Sequence, residues 1–392
     1  METISDYAKA IGLLKQSATP QGFLASATET ANYKRIWARD GVVCGLAALA
    51  SGQEELIDVF RKTLETLSTH QHENGTIPSN VLFKEDGSAS VSYGGLAGRV
   101  DALTWYVIGM CQYAHYKNDA AFISRHQSHI EKCLALLEAW EFNNRHLVYV
   151  PLSGNWADEY ILEGYVLYDQ LLRLWALQCY NYFARQEAIA EKINAIRQQI
   201  EINFIPGTHG DKYHPRAYAE IEQLAYLPCC FSPAGYKTQF DTFAHALALM
   251  LRIGTPPLHT NIANHAATLR HHTLLKALPA FWPPVKEGDV DWNLLKNNYK
   301  YEFRNHPYEF HNGGSWSMVN GFFGLAIKEL NRGEAEALLS SIHVMNSAAN
   351  DAFYECFDTN TGAVVGVPYC AWSAAGAVLL HQTLFTPFKL LF

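Results

Sequence analysis

Along most of the chain, apolar positions recur at three- and four-residue intervals, the spacing that gathers them on one side of an α-helix. Such segments run from "ISDYAKAIGLLKQSA" near the start to "WSAAGAVLLHQTLF" near the end, about twelve in all. No stretch alternates apolar and polar residues for more than a few positions, so strands are expected only as short pieces. The helical segments are of two kinds. "GVVCGLAALA" and "SAAGAVLL" are apolar on every side, with Gly and Ala permitting close approach, whereas "EELIDVFRKTLETL" and "EAIAEKINAIRQQIE" are charged on one face. A helix apolar all round is buried on all sides, and an amphipathic one covers it from outside. The two kinds alternate, which is the order that a barrel of inner and outer helices requires. No Ser-, Gly- or Pro-rich linker divides the sequence, so residues 1–392 read as a single all-α domain. The sixth helix is expected from Tyr160, in "YILEGYVLYDQLLRLWALQCYNYFA". The stretch from about Ala277 to Asn312 is too rich in Pro, Trp and Asn for a helix, and an irregular segment of that length usually carries function.

Polar and aromatic residues cluster where the apolar helices begin. "YKRIWARDG" sets Trp37, Arg39 and Asp40 before the second helix, "GRVDALTW" sets Arg99 and Asp101 before the fourth, and "SGNWADEY" sets Trp156, Asp158 and Glu159 before the sixth. "YKTQFDTF" places Asp241 before the eighth, and "FHNGGSW" places His311, Asn312 and Trp316 before the tenth. Before the last come "AFYECFDTNTG", with Glu355, and "YCAWSAAG", with Trp372. In a helical barrel every second loop opens on the same face, so six such clusters would converge on one cavity. Each also has a plainer reading. Asp40, Asp101 and Asp241 fit helix N-caps, the tryptophans fit a core, and Arg39 fits a pair with a neighbouring acid.

Glu355 is the least easily explained, because an ionised carboxylate among Phe353, Tyr354 and Phe357 loses solvation and calls for a partner or a task. The chemistry that fits these clusters is glycoside hydrolysis. It needs two carboxylates, one protonated and one ionised, with polar groups for sugar hydroxyls and ring faces for the sugar's apolar side. Composition agrees: 49% hydrophobic against 17% charged residues supports a large core, and 9 Trp with 21 Tyr supply rings on which a small carbohydrate can stack. A net charge of -8 argues against a nucleic-acid partner. Eight cysteines without a CxxC pair read as reduced thiols of a cytoplasmic protein. No signal pattern opens the chain and no apolar run approaches about 20 residues, so no membrane partner is expected. The absence of P-loop, GxGxxG and HExxH motifs leaves no cofactor or metal to invoke. A homo-oligomer is compatible with everything above.

At these residues the sequence resembles the inverting α-glycosidases built on an (α/α)6 barrel, the clan of neutral/alkaline invertases, trehalases, glucoamylases and processing or debranching α-glucosidases. The similarity runs from about Trp37 to Ala375 in separated motifs. "WARDG" is similar to the clan's Arg-Asp pair that holds hydroxyls of the terminal hexose, which assigns that role to Arg39 and Asp40. "GRVDALTWYVIG" and "FHNGGSW" resemble invertase segments, and "SGNWADEY" resembles the loop that bears the proton donor. "FYECFDTNTGAVVG" with "WSAAG" resembles the closing motif of the clan. The resemblance implies Asp158 as general acid and Glu355 as general base of an exo-acting enzyme that releases a terminal hexose, expected to be glucose. Trp37, Arg99, Asp101, Trp156, Asp241, His311, Asn312, Trp316 and Trp372 are then expected to contact substrate, with Glu159 or Glu309 as further acids to watch. The invertase acid is usually followed by two arginines, where Glu159 and Tyr160 stand here, and Ser317 replaces a common Pro, so the leaving group stays open. Two other readings use the same barrel: a sugar 2-epimerase working through His245, His311 or His343, and a non-catalytic sugar-binding protein.

Overall fold

The computed structural model describes residues 5–30 and 32–392. Fourteen α-helices lie among them: α1 (Asp6–Gln16), α2 (Ala38–Ser51), α3 (Glu54–Thr69), α4 (Asp101–Lys117), α5 (Ala120–Ala139), α6 (Leu167–Ala184), α7 (Glu187–Phe204), the one-turn α8 (Pro215–Tyr218), α9 (Thr242–Met250), α10 (Pro256–His272), α11 (Trp292–Asn298), α12 (Ser317–Ile327), α13 (Arg332–Asp351) and α14 (Ala371–Phe385). The start expected for the first helix, at Ile4, lies outside the described residues.

The two kinds of helix sort as their patterning requires. Every residue of α2 from Ala38 to Ala50 is buried, and so is every residue of α4 from Asp101 to Ala114. In contrast, α3 buries Leu56, Ile57, Phe60, Leu64 and Leu67, a single stripe at helical spacing. The all-round apolar helices form a closed ring in which α2 packs on α4, α4 on α6, α6 on α9, α9 on α12, α12 on α14, and α14 back on α2. Outside it, α3, α5, α7, α10 and α13 each pack on the ring helix that precedes them, and α1 packs on α14. The fold is an all-α (α/α)6 barrel. Since each outer helix returns the chain, all six inner helices run the same way and their N-termini share one end.

Short antiparallel strands cover that end. Ile36–Trp37 pairs with Asn80–Phe83, Tyr165–Val166 with Cys230–Ser232, Phe240–Asp241 with Phe281–Trp282, and Cys356–Phe357 with Val364–Val365. A single bridge from Ser315 to Phe357 ties the last of these to the loop before α12, and another from Ser26 to Cys370 joins the segment after α1 to the start of α14. Two expectations need correction. The sixth helix starts at Leu167, not Tyr160, because Gly164 sits at φ +80 and bridges Val150, and a side chain there would collide with the carbonyl of Phe231. The segment 277–312 is not wholly irregular, since α11 forms within it: residues 292–298 contain no proline, and Leu295 is buried beneath them.

Candidate active site

The first turn of α2 brings Arg39 and Asp40 to the covered end of the barrel. Arg39 Nη1 donates to Asp101 Oδ2 at 2.5 Å, and its guanidinium lies 5.8 Å from the Trp372 ring centroid. Asp40 is buried beside it, and loss of solvation pushes its carboxyl up to about 6 against the pull of Arg39. The turn before α4 is shaped by Gly94 at φ +109 and Gly98 at φ +74, backbone that other residues rarely adopt. It delivers Arg99, whose Nη1 donates to the carbonyls of Gly98 and Ser153 at 2.7 and 2.8 Å. Its Nη2 donates to Asp158 Oδ2 at 2.6 Å.

The loop carrying Asp158 is braced from below. Asn155 accepts from the backbone N–H of Ala157 and donates to the buried Asp169, both at 3.0 Å. Glu159 turns to the guanidinium of Arg304, which donates to both of its oxygens. Burial raises the Glu159 carboxyl, and Arg304 opposes the shift. At Glu355, Tyr33 donates its hydroxyl to Oε1 at 2.6 Å and the Val367 N–H donates to Oε2 at 3.3 Å. Desolvation nevertheless pushes Glu355 up to about 7, more than these donors pull it down. Gly366, at φ +76, leaves room for this carboxylate, since a Cβ there would stand 2.4 Å from Oε2.

These groups wall one cavity of about 390 Å³. Trp37, Arg39, Asp40, Arg99, Trp156, Asp158, His311, Trp316, Glu355 and Trp372 all line it. The aromatic wall is continuous: Trp156 meets His311 edge to face at 5.0 Å, His311 stacks on Trp316 at 5.0 Å, and Trp316 meets Trp372 at 5.6 Å. Burial holds His311 down at about 4. Both of its ring nitrogens and the indole Nε1 atoms of Trp156 and Trp372 are buried without a protein partner. Buried polar atoms are rarely left so, and these four belong to three residues of the cavity wall.

Three expected contacts are not on the wall, and each has a structural task. Asp241 caps α9, accepting from Ala244 N–H at 2.9 Å, as the helix-cap alternative allows. Asn312 is fully buried and ties loops together, accepting from Val285 N–H at 2.6 Å and donating to Val285 O at 2.8 Å. Asp101 stands behind Arg39 and orients it, with a second donor in the Tyr168 hydroxyl at 3.2 Å. Glu309 is likewise absent from the wall, whereas Glu159 is part of it. Tyr33, Tyr299, Glu302, Arg304 and Phe310 line the cavity and were not singled out from the sequence. Tyr33 reaches Glu355 across 322 positions of chain, a distance over which patterning is silent. The signal for Arg304 was its place seven residues before the "HNGG" turn, in a segment already marked as functional.

A ring of six parallel helices whose N-terminal end holds carboxylates, guanidinium clamps and an indole-lined pocket defines a glycoside hydrolase of the (α/α)6 class. More particularly, the chain belongs to the alkaline and neutral invertase family, whose sequence profile matches residues 8–204 and 221–387. It is similar to neutral/alkaline invertase 3, chloroplastic, of Oryza sativa subsp. japonica, with 22% identity over 91% of this chain and 68% of that protein. It is also similar to alkaline/neutral invertase E, chloroplastic, of Arabidopsis thaliana, with 22% identity over 96% and 71%. In structure it resembles the GH63 mannosylglycerate hydrolase of Thermus thermophilus in complex with Tris, with a TM-score of 0.68 and 13% identity over 96% of this chain and 99% of that one. A rhamnosidase from Klebsiella oxytoca with rhamnose bound superposes with a TM-score of 0.64 at 14% identity, over 97% of this chain and 64% of that one.

Proposed function

We propose that this glycoside hydrolase releases a terminal hexose, glucose, from a small α-glycoside or oligosaccharide with inversion at the anomeric carbon. Asp158 protonates the glycosidic oxygen as its bond to C1 breaks. Glu355 takes a proton from the water whose oxygen bonds to C1 from the other side. Arg39 and Asp40 hold hydroxyls of the departing hexose through charge-assisted hydrogen bonds. The observation that carries this reading is the environment of Glu355. Both of its oxygens accept hydrogen bonds, which suits the ionised form. Burial raises its basicity to about 7, matched to a base working near neutral pH.

The epimerase alternative loses two of its three histidines. His245 is fully buried, donating from Nδ1 to Asp241 O at 2.6 Å and accepting from Leu227 N–H at 3.1 Å, and His343 lies on the outer helix α13. Of the three, His311 alone lines the cavity. A cytoplasmic location forms part of the same proposal and rests on eight buried free thiols, while the two plant relatives named above are chloroplastic. Among the described residues no helix is long and apolar enough to cross a membrane.

Incubation with sucrose, trehalose, maltose and free hexoses, followed by product analysis, tests the proposal. Release of glucose from at least one glucoside is expected. A C2 epimer of a free hexose, or no change in any sample, would overturn it.

A further inference from the structure

Three guanidinium groups line the cavity, yet among the described residues none of them pairs with Glu355, whose oxygens accept from Tyr33 and Val367 instead. Each guanidinium is held by a different carboxylate: Arg39 by Asp101, Arg99 by Asp158 and Arg304 by Glu159. The side chains of Arg39 and Arg99 are buried, and Arg99 is fixed further by the carbonyls of Gly98 and Ser153. Arg304 differs. Its side chain is 47% exposed, against 9% for Glu159. Both of its bonds leave from one edge of the guanidinium, Nε to Oε2 at 3.1 Å and Nη2 to Oε1, so Glu159 does not hold the Nη1 corner. The face of Phe310, its centroid 5.2 Å away, supports the group from the side.

The charge of Arg304 reaches Glu355 and favours its ionised form. A long, half-exposed cation with a free corner therefore stands within electrostatic reach of two buried carboxylates. Paired with Glu355, it would occupy an oxygen that has to accept the proton from water. It would also weaken the base, since an opposite charge in contact lowers a carboxylate by about 1–3 units. The fold settles the competition in favour of Glu159 by tethering the two backbones. Asn305, the residue after Arg304, donates to the Glu159 carbonyl at 3.2 Å and accepts from the N–H groups of His311 and Asn312 at 3.0 and 3.2 Å.

We propose that Glu159 is a positioning residue that holds the Arg304 guanidinium off Glu355, so that the base works under the influence of that charge without being paired to it. The inference rests on the hydrolase reading above and concerns how that site is tuned. The other groups facing Glu355 do not supply this control. Burial raises the Tyr33 hydroxyl and the Cys356 and Cys370 thiols, which stay neutral near pH 7. Asp40, at the start of α2, acts on Glu355 in the opposite sense to Arg304. Glu302, also on the wall, raises Glu159.

The acid limb of kcat/KM against pH reports the base of the free enzyme. It is measured in the unaltered enzyme, Glu159→Gln, Arg304→Gln and Arg304→Lys, on a glucoside that the unaltered enzyme cleaves. Glu159→Gln releases Arg304 toward Glu355 and should move the limb down by about one unit. Arg304→Gln removes the cation and should move it up, while Arg304→Lys keeps the charge and should lie closer to the unaltered enzyme. Limbs that coincide in all four proteins, or that move the same way in Glu159→Gln and Arg304→Gln, would overturn the positioning role and leave the hydrolase reading intact. If no glucoside is cleaved, the carboxyl ¹³C signal of Glu355, assigned by its loss in Glu355→Gln, is titrated in the same four proteins. Opposite shifts uphold the positioning role without the hydrolase reading, and coincident or parallel shifts refute it.

Discussion

Glu355 resists ionisation and yet is built for it. Its surroundings remove water, but every contact it makes is with a donor, Tyr33 O–H and Val367 N–H, and the nearby Arg304 charge acts in the same direction. The compromise near 7 has a consequence for stability. The folded state binds a proton at this site that the unfolded chain has already released, so stability falls as pH rises from about 4.5 toward 7 and stays lowered above it. The cost above that window is about 3 kcal/mol, taking 1.36 kcal/mol for each unit of displacement. Glu355→Gln keeps the Tyr33 hydrogen bond and removes the charge. It should therefore be inactive but more stable than the parent at pH 8, with the advantage fading as pH approaches 4.5. Denaturant melts at the two pH values measure this, and an advantage independent of pH would show that Glu355 is not the strained group. Side chains of this kind were legible because they break their local pattern. Glu355 among rings and Asp158 after Trp156 announce a task, whereas Asp241 and Asn312 have the same chemistry as active-site groups but use it for a helix cap and a loop tie. Nothing local separates the two uses; only the fold shows which carboxylate faces space.

The inner helices depend on the small residues that the sequence displayed. Gly321 of α12 and Gly376 of α14 face each other so closely that a Cβ on Gly321 would lie 2.5 Å from the carbonyl of Gly376, and one on Gly376 would lie 2.7 Å from the Met318 Cα. Both obstructions are backbone and cannot rotate aside. Gly376→Val should therefore push α12 from α14 and cost at least about 1–3 kcal/mol, the range for overpacking a dense core. A thermal melt unchanged from the parent would mean that the two helices do not meet there. Composition of this kind made the inner helices readable, and their outer partners followed from amphipathic spacing. The ends of elements were harder. The start of α6 is set by the pairing of Gly164 with Val150, and α11 is held by one buried leucine, Leu295, neither of which leaves a periodic trace.

For the molecule as a whole, alternation of helix types gives the barrel, and the barrel gives the convergence of loops separated by hundreds of residues. Tyr33 and Glu355, 322 positions apart, meet only because α14 closes the ring on α2. That closure is what brings five of the six local clusters onto one cavity, with the proposed hexose clamp on α2, the proposed acid on the loop before α6 and the proposed base before α14. The proposed division of labour between Asp158 and Glu355 about a single attacking water would fix the stereochemistry of the product. Proton NMR of the first sugar released from an α-glucoside, recorded before mutarotation, reads it directly. The account predicts β-glucose as the first anomer to appear. α-Glucose appearing first would mean retention, and with it a covalent intermediate or a different pair of carboxylates.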